Sequence, residues 1–280
     1  MRRAQRMQLT VTACQRLAAW REILSFQATV APTVQDPALC SLNPSNCYQT
    51  YPRLLETELA EALVEVTDDA DNRFKIFAVK HPLQRTRARA LLERRYALRG
   101  YSVQSLPAVV NAQMTLSAAD ERSTVATITA GLDCDDGLFV ERLYPDDVAA
   151  LRKEGAKLCE FTKFAVDESV RSQALLGAIF HVACMYVMEV HQCTDALIEV
   201  NPRHVKFYEQ MLGFRQAAEQ RQDLTVDAPA VLLRLDLRHC AQEIDRLGGQ
   251  RRSARRERSF YPYFFAREEA SRIAARLSLH

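Results

Sequence analysis

Ser172–His191 places Leu175, Leu176, Ile179, Phe180, Val182, Met185, Val187 and Val190 almost all the way round a helix, a pattern that predicts deep burial. Two strand-like segments flank it, Lys157–Val166 and the apolar run Ala196–Val200. Strand, buried helix, strand is a βαβ unit, so the two strands are expected to run parallel with a right-handed crossover. Around this unit the pattern gives further elements. Phe74–Lys80 reads as a strand and Leu83–Arg99 as an arginine-rich helix with Leu91, Leu92 and Tyr96 available to pack. Ala112–Ser117 and Thr124–Leu132 are β-branched-rich and joined by a polar connection of hairpin length, so they should pair antiparallel. Pro145–Glu154 is a short helix with proline in its first turn and Gly155 at its end. Asn201 can cap a helix of about three turns that Gly213 terminates, and Ala230–Leu237 gives a last strand. The predicted order is β-α-β-β-α-β-α-β-α-β.

Before this core, residues 1–70 hold a helical pattern near Cys14–Phe26, a Pro/Asn/Ser-rich stretch from Pro32 to Pro52 and a second helical pattern from Leu54 to Val66. The expected organisation is an N-terminal extension (1–70), an α/β core (71–240) and a basic, helical C-terminal tail (241–280). With 48% hydrophobic and 26% charged residues in 280, the chain has ample apolar material for one core of roughly 150–200 residues with extensions.

The net charge of +2 is too small to argue for nucleic acid, whose partners concentrate basic charge on one face. Its distribution is uneven. Arginines 246, 251, 252, 255, 256, 258, 267, 272 and 276 face only Glu257, Glu268 and Glu269 over the same stretch. The eight cysteines form no C-x-x-C pair and several lie in apolar runs, where a thiol behaves as a small hydrophobe, so a reduced, cytoplasmic setting is expected. No run of about 18 apolar residues is evident, so no membrane span is expected, though peripheral membrane contact stays open.

Glu160 is the first candidate for chemistry. Period-two alternation puts it on one face of its strand with Leu158, Thr162, Phe164 and Val166, and a carboxylate there needs either a partner or a job. One reading is a satisfied structural group; the other is a general base whose desolvation raises its pKa. Lys163 falls on the opposite face unless a bulge reorients it. Tyr208, in the helix after Asn201, reads by default as core packing with a wet hydroxyl, and spacing alone does not choose between that and a functional role. No metal is expected: His181 and Cys184 are one helical turn apart, with His191 and Cys193 nearby, but no second pair has zinc spacing. Phosphate-loop, dinucleotide and serine-elbow motifs are absent, which removes support for nucleotide and serine hydrolases.

The stretch Ala196-Leu-Ile-Glu-Val-Asn-Pro-Arg-His-Val-Lys-Phe-Tyr-Glu-Gln-Met-Leu-Gly-Phe214 resembles the fifth strand and fourth helix of GNAT-superfamily acyltransferases. More narrowly, Arg95-Tyr96, Glu160-Phe-Thr-Lys-Phe-Ala-Val166, Asn201-Pro-Arg-His-Val-Lys-Phe-Tyr208 and Tyr261-Pro-Tyr-Phe-Phe265 resemble the bacterial long-chain N-acyl amino acid synthases, relatives of the acyl-homoserine-lactone synthases. The likeness runs from about Phe74 to Phe265. It implies a GNAT-like mixed sheet with splayed parallel strands, transfer of a fatty-acyl group to an amino-acid amine, Glu160 as base and Tyr208 as acid. Arg95, Lys163, Phe164, Val166, Arg171 and Asn201 are implied to bind substrate or acyl donor, with lysine standing at 163 where the lactone synthases carry arginine. Where coenzyme A enzymes of this superfamily have a glycine-rich pyrophosphate loop, this chain has Arg171-Ser-Gln-Ala-Leu-Leu-Gly-Ala178. That departure favours an acyl carrier protein, presenting its phosphopantetheine thioester, over acyl-CoA as donor, with no resident cofactor. Acidic carrier proteins suit the arginines of 85–99 and the tail. The competing readings are a coenzyme A-dependent N-acetyltransferase, a homoserine-lactone synthase, and a catalytically silent GNAT-like module that binds a carrier protein.

Overall fold

The computed structural model describes residues 61–97 and 112–279. Within them the chain runs β1 (Val64–Thr67), β2 (Arg73–Ala78), α1 (Pro82–Ala97), β3 (Gln113–Ala119), β4 (Thr124–Leu132), a 3-10 turn (Phe139–Arg142), α2 (Pro145–Lys153), β5 (Leu158–Val166), α3 (Gln173–Met185) with a π turn (Tyr186–Val190), and β6 (Asp195–Val200). It continues through a 3-10 turn (Pro202–His204), α4 (Val205–Leu212), β7 (Arg215–Gln216), β8 (Arg221–Asp223), β9 (Ala228–Asp236), α5 (Leu237–Leu247), 3-10 turns at Arg251–Arg255 and Tyr261–Tyr263, and α6 (Arg267–Leu277). The helix expected near Cys14–Phe26 and the stretch Pro32–Pro52 lie outside the described residues.

The strands form one mixed sheet in the order β1-β2-β3-β4-β5-β6-β9-β7, with β8 on β9. Every pairing is antiparallel except β5 with β6, where Leu158, Cys159 and Glu160 lie opposite Asp195, Ala196 and Leu197. The expected βαβ unit is therefore present. Beyond Glu160 and Leu197 the two strands separate, because β5 follows β4 while β6 stays with β9 through Val200.

Two expectations at the sheet's edge change. Val64–Thr67 is not the end of a helix but a strand, paired antiparallel with β2 from Val64 opposite Ile76 to Thr67 opposite Arg73. Its Val66, with Leu63 just before it, is buried in the core. The C-terminal segment is likewise part of the core, since Phe260, Tyr261, Phe264, Phe265, Ile273 and Leu277 are buried in the main apolar cluster with α3.

Helix α3 shows why. Ser172 caps it, its Oγ accepting from the Leu175 N–H at 3.1 Å, and residues 174–185 are all buried. Together with the π turn, Gln173–Val190 is apolar and long enough to cross a membrane by length and composition, a run the sequence reading missed; 78% of it is buried inside the fold, as in the core helix of a globular domain. Gly177 sits inside this helix. A Cβ there would lie 2.7 Å from Tyr263 Cβ and 3.3 Å from the Phe260 carbonyl oxygen, so glycine is what lets the aromatic segment lie against α3. Tyr261 donates to the Leu212 carbonyl at 2.7 Å, and the Phe265 N–H donates to His181 Nδ1 at 2.9 Å.

The opposite sheet face carries two smaller clusters. Tyr144, Val148 and Leu151 pack with Leu158, Leu197 and Leu232, and Leu91 and Leu92 of α1 pack on Ala165. Alternation thus assigns Leu158 and Leu197 to one face, and Cys159 and Ile198 to the α3 face.

Candidate active site

The separation of β5 from β6 opens a cleft of about 200 Å³, lined from β5 by Phe161, Thr162, Lys163 and Phe164, from β6 by Ile198, Glu199 and Val200, and beyond them by Asn201, Arg203, His204 and Tyr208. Phe180 of α3, Tyr96 of α1 and Asp223 of β8 also line it, with Ile128 of β4, Val226, and Ala228, Pro229 and Ala230 at the start of β9.

A bulge shapes the β5 side. Thr127 pairs with Ala165 and Thr129 with Thr162, so Lys163 and Phe164 together oppose Ile128. Lys163 takes φ 52°, a left-handed conformation uncommon for a side chain other than glycine. The bulge breaks the period-two pattern. Phe164 and Val166 turn to the α3 face with Cys159 and Phe161, not to the face of Leu158 as alternation predicts. Phe164 packs on Phe180 at 4.9 Å between ring centroids.

Lys163, Phe164, Asn201 and Tyr208 are brought together in the cleft. Asn201 Oδ1 accepts from the Arg203 N–H at 3.3 Å, capping the turn that leads into α4, and Gly213 ends α4 at φ 82°. Tyr208 packs edge-on against Phe207 and Phe214. Burial depresses the Lys163 ammonium below its ordinary pKa, and the Glu160 carboxylate acts against this.

The other expected residues lie elsewhere. Glu160 is 2% exposed. Its Oε1 accepts from the Phe139 N–H at 2.9 Å and its Oε2 from the Val140 N–H at 3.1 Å. It thus satisfies two N–H groups that the 3-10 turn leaves without internal partners, and Gly131 across the ladder makes room for it, since a Cβ there would meet Glu160 Cγ at 3.2 Å. Desolvation raises its pKa, opposed by those two hydrogen bonds and by Lys163. Glu160 does not line the cleft, and both of its carboxylate oxygens are engaged by the 3-10 turn. Arg95 is buried and directed to Glu168 at 3.4 Å. Val166 is core. Arg171 donates to the carbonyls of Glu168 and Val170 and lines a separate depression of about 1100 Å³. Three of the five α1 arginines are paired with carboxylates: Arg89 with Glu93, Arg94 with Asp167 and Arg95 with Glu168.

One residue that the sequence reading passed over stands out. Glu199 lies on the cleft wall. Its Oε2 is buried with no hydrogen-bond partner among the described residues. Desolvation, then the nearby Asp223 carboxylate, push its pKa up to about 7, with Arg142 pulling down and Glu160 adding a further push. The available signal was a carboxylate inside the otherwise apolar run Ala196–Val200, the same signal that drew attention to Glu160.

A mixed sheet whose single parallel pair splays over a cleft, with an apolar helix crossing between the two strands, defines a GNAT-like acyltransferase. The model of the N-acyl amino acid synthase FeeM family matches residues 87–236, and the chain belongs to that family. It is therefore an N-acyltransferase of the N-acyl amino acid synthase type, working from an acyl thioester and an amino-acid acceptor. Among solved structures, FeeM, an N-acyl amino acid synthase from uncultured soil microbes, is 27% identical with a TM-score of 0.55, over 61% of this chain and 94% of that one. Escherichia coli ElaA is 12% identical (TM-score 0.43; 58% and 98% covered). The AHL synthase LasI is also 12% identical (TM-score 0.42; 59% and 89% covered). Among curated proteins, none matches the chain.

Proposed function

We propose that the chain moves a fatty-acyl group from the phosphopantetheine thioester of an acyl carrier protein to the α-amine of an amino acid, with the thioester lying in the cleft between β5 and β6. The observation that carries this reading is the cleft itself, in a member of a family of N-acyl amino acid synthases. Past Glu160 and Leu197 the facing edges of β5 and β6 have no ladder partner, so their amides and carbonyls are open to a pantetheine arm. Amides at the Lys163–Phe164 bulge and on to Val166 are the proposed oxyanion donors, and Tyr208 the donor of a proton to the departing thiolate. Lys163 is assigned to the acceptor's carboxylate.

A carrier protein is favoured over coenzyme A by the segment before α3. A nucleotide pyrophosphate needs free N–H groups at a helix N-terminus. Here Ser172 already occupies the Leu175 N–H. The depression at that end of α3 is lined by Asp68, Asp69, Asp71, Asp120 and Glu121 against Arg73, Arg122 and Arg171, which leaves an excess of negative charge. With three of the α1 arginines paired to carboxylates, attraction of an acidic carrier is assigned chiefly to the exposed tail arginines 252, 256, 258 and 267. Cytoplasmic residence belongs to the same proposal, supported by the free thiols of Cys159, Cys184, Cys193 and Cys240.

The test is direct. Purified protein is incubated with an acyl-acyl carrier protein or the matching acyl-CoA and a panel of amino acids, and products are read by mass spectrometry. An N-acyl amino acid formed faster from the carrier-protein donor is the expected result. Faster turnover with acyl-CoA reverses the donor assignment, and no amide from either donor refutes the reading.

A further inference from the structure

We propose that Glu199 is the general base that takes the proton from the acceptor's ammonium, and that the acceptor enters on the sheet face opposite to the departing thiol; this rests on the acyl-transfer reading above.

The geometry comes from where β6 parts from β5. Leu197 is the last residue of β6 facing β5, and it packs with Leu158 and Tyr144 on the α2 face. Two residues on, Glu199 projects to that same face. Ile198 and Val200, between and after, pack with the α3 cluster, as does Tyr208. The cleft therefore passes through the sheet. Its α3 side is walled by Phe180 and Tyr208, and its other side by Glu199 and Asp223. A thioester carbonyl in the gap has carboxylates on one side and Tyr208 on the other, so the group that takes the amine's proton and the group that protonates the thiolate occupy separate sites.

A buried carboxylate oxygen without a donor is costly, about 1–3 kcal/mol or more for a charged group, so such atoms in a cleft wall mark where a ligand donor belongs. The orphan Oε2 of Glu199 matches an ammonium. The charges around it are the carboxylates of Asp223 and Glu160 and the guanidinium of Arg142, with Lys163, Arg203, His204 and Tyr208 on the same cleft. Arg142 is held at 3.7 Å from Asp223 and stacks on the Phe139 ring, and among the described residues no cation forms an ion pair with Glu199. Desolvation first, and then two acidic groups against one cation, raise the carboxyl's pKa to about 7, where a base both accepts and releases a proton readily.

In the reaction the ammonium gives one proton to Glu199. The freed lone pair forms the C–N bond with the thioester carbon, and the tetrahedral adduct collapses by breaking C–S. Tyr208 protonates the departing thiolate and takes back the second proton from the nitrogen, so the products are the amide, the thiol and one proton released from Glu199 to solvent.

Glu199→Gln keeps the side chain's size but cannot accept the proton. Its kcat is expected to fall about 10²–10⁴-fold, with KM for the acyl donor unchanged. The wild-type acidic limb near pH 7 should vanish in Glu199→Gln and return in Glu199→Asp. Calorimetry supplies a readout independent of turnover: wild type should bind an amino acid at least tenfold more tightly than its desamino analogue, and Glu199→Gln should lose that preference. A Glu199→Gln enzyme within threefold of wild-type kcat, or a wild type that binds both ligands equally, overturns the proposal. Absence of amide from wild type, with the ammonium preference intact, would instead refute the acyl-transfer reading and leave Glu199 as the ammonium site.

Discussion

The aromatic C-terminal segment is latched to α3 through His181, and this latch should be acid-sensitive. The imidazole is 1% exposed, accepts the Phe265 N–H on Nδ1, and lies parallel to the rings of Phe264 and Phe265 at 4.6 and 5.5 Å. Burial lowers its pKa from 6.5 to about 3. In the unfolded chain the same histidine takes up a proton below 6.5, while the folded one does not until about 3. The unfolded state therefore binds more protons across that window, and stability falls as pH drops through it. At pH 5 the loss from this group is about 2 kcal/mol, from 1.5 units at 1.36 kcal/mol each. His181→Asn retains an acceptor near the Nδ1 position but has no charge to gain. It gives up ring stacking, about 0.5–1.5 kcal/mol per pair, so it should be less stable than wild type at pH 7.5. By pH 5 that gap should shrink by about 2 kcal/mol. Urea unfolding followed by far-ultraviolet circular dichroism at the two pH values measures both numbers. Parallel loss of stability in wild type and variant would refute the reasoning, because other titrating groups are common to both proteins. The consequence reaches the cleft: Phe260 stacks on Phe180 and packs edge-on to Phe207, so releasing the latch removes support from the cleft's α3 wall.

Glu160→Gln should cost about 1–3 kcal/mol in thermal or urea unfolding, because an amide cannot accept from both Phe139 and Val140; the acidic limb of the rate profile should remain, which a base would not permit. Lys163→Met should raise KM for the amino acid at least tenfold while leaving KM for the acyl donor alone, and an unchanged amino-acid KM would remove Lys163 from carboxylate binding. Glu199, raised from 4.5 to about 7 chiefly by desolvation, binds its proton more tightly in the folded state, so stability falls as pH rises through that window. Glu199→Gln should therefore be more stable than wild type at pH 8, by at most about 3 kcal/mol, with the difference closing towards pH 4.5 in urea titrations.

Much of the core was legible because local signals and tertiary packing agree there. The run Ala196–Gly213 carries its own punctuation: an apolar strand, Asn201 as cap, Pro202 in the first turn and Gly213 at φ 82°. The misreadings occur where tertiary pairing overrides local pattern. Glu65 and Val66 continue a helical-looking sequence, yet pairing with β2 buries Val66 and leaves Glu65 out as a strand does. The bulge at Lys163 has no glycine or proline to announce it, so alternation assigned Phe164 and Val166 to the wrong face. The tail's arginines drew attention to charge, while Phe260–Phe265 between them was being packed against Gly177.

Glu160 and Glu199 show why strand chemistry alone could not assign the base. Both are carboxylates on the α2 face of adjacent parallel strands, and both are pushed up by desolvation. What separates them is the end of the β5–β6 ladder. Glu160 lies within it, opposite Leu197, at the position where the 3-10 turn presents two N–H groups. Glu199 lies beyond it, where no backbone from β5 closes over the side chain and the cleft begins. The fold therefore satisfies one carboxylate and leaves the other with an orphan oxygen. That difference follows from where two strands part, a property of register that only the assembled sheet contains.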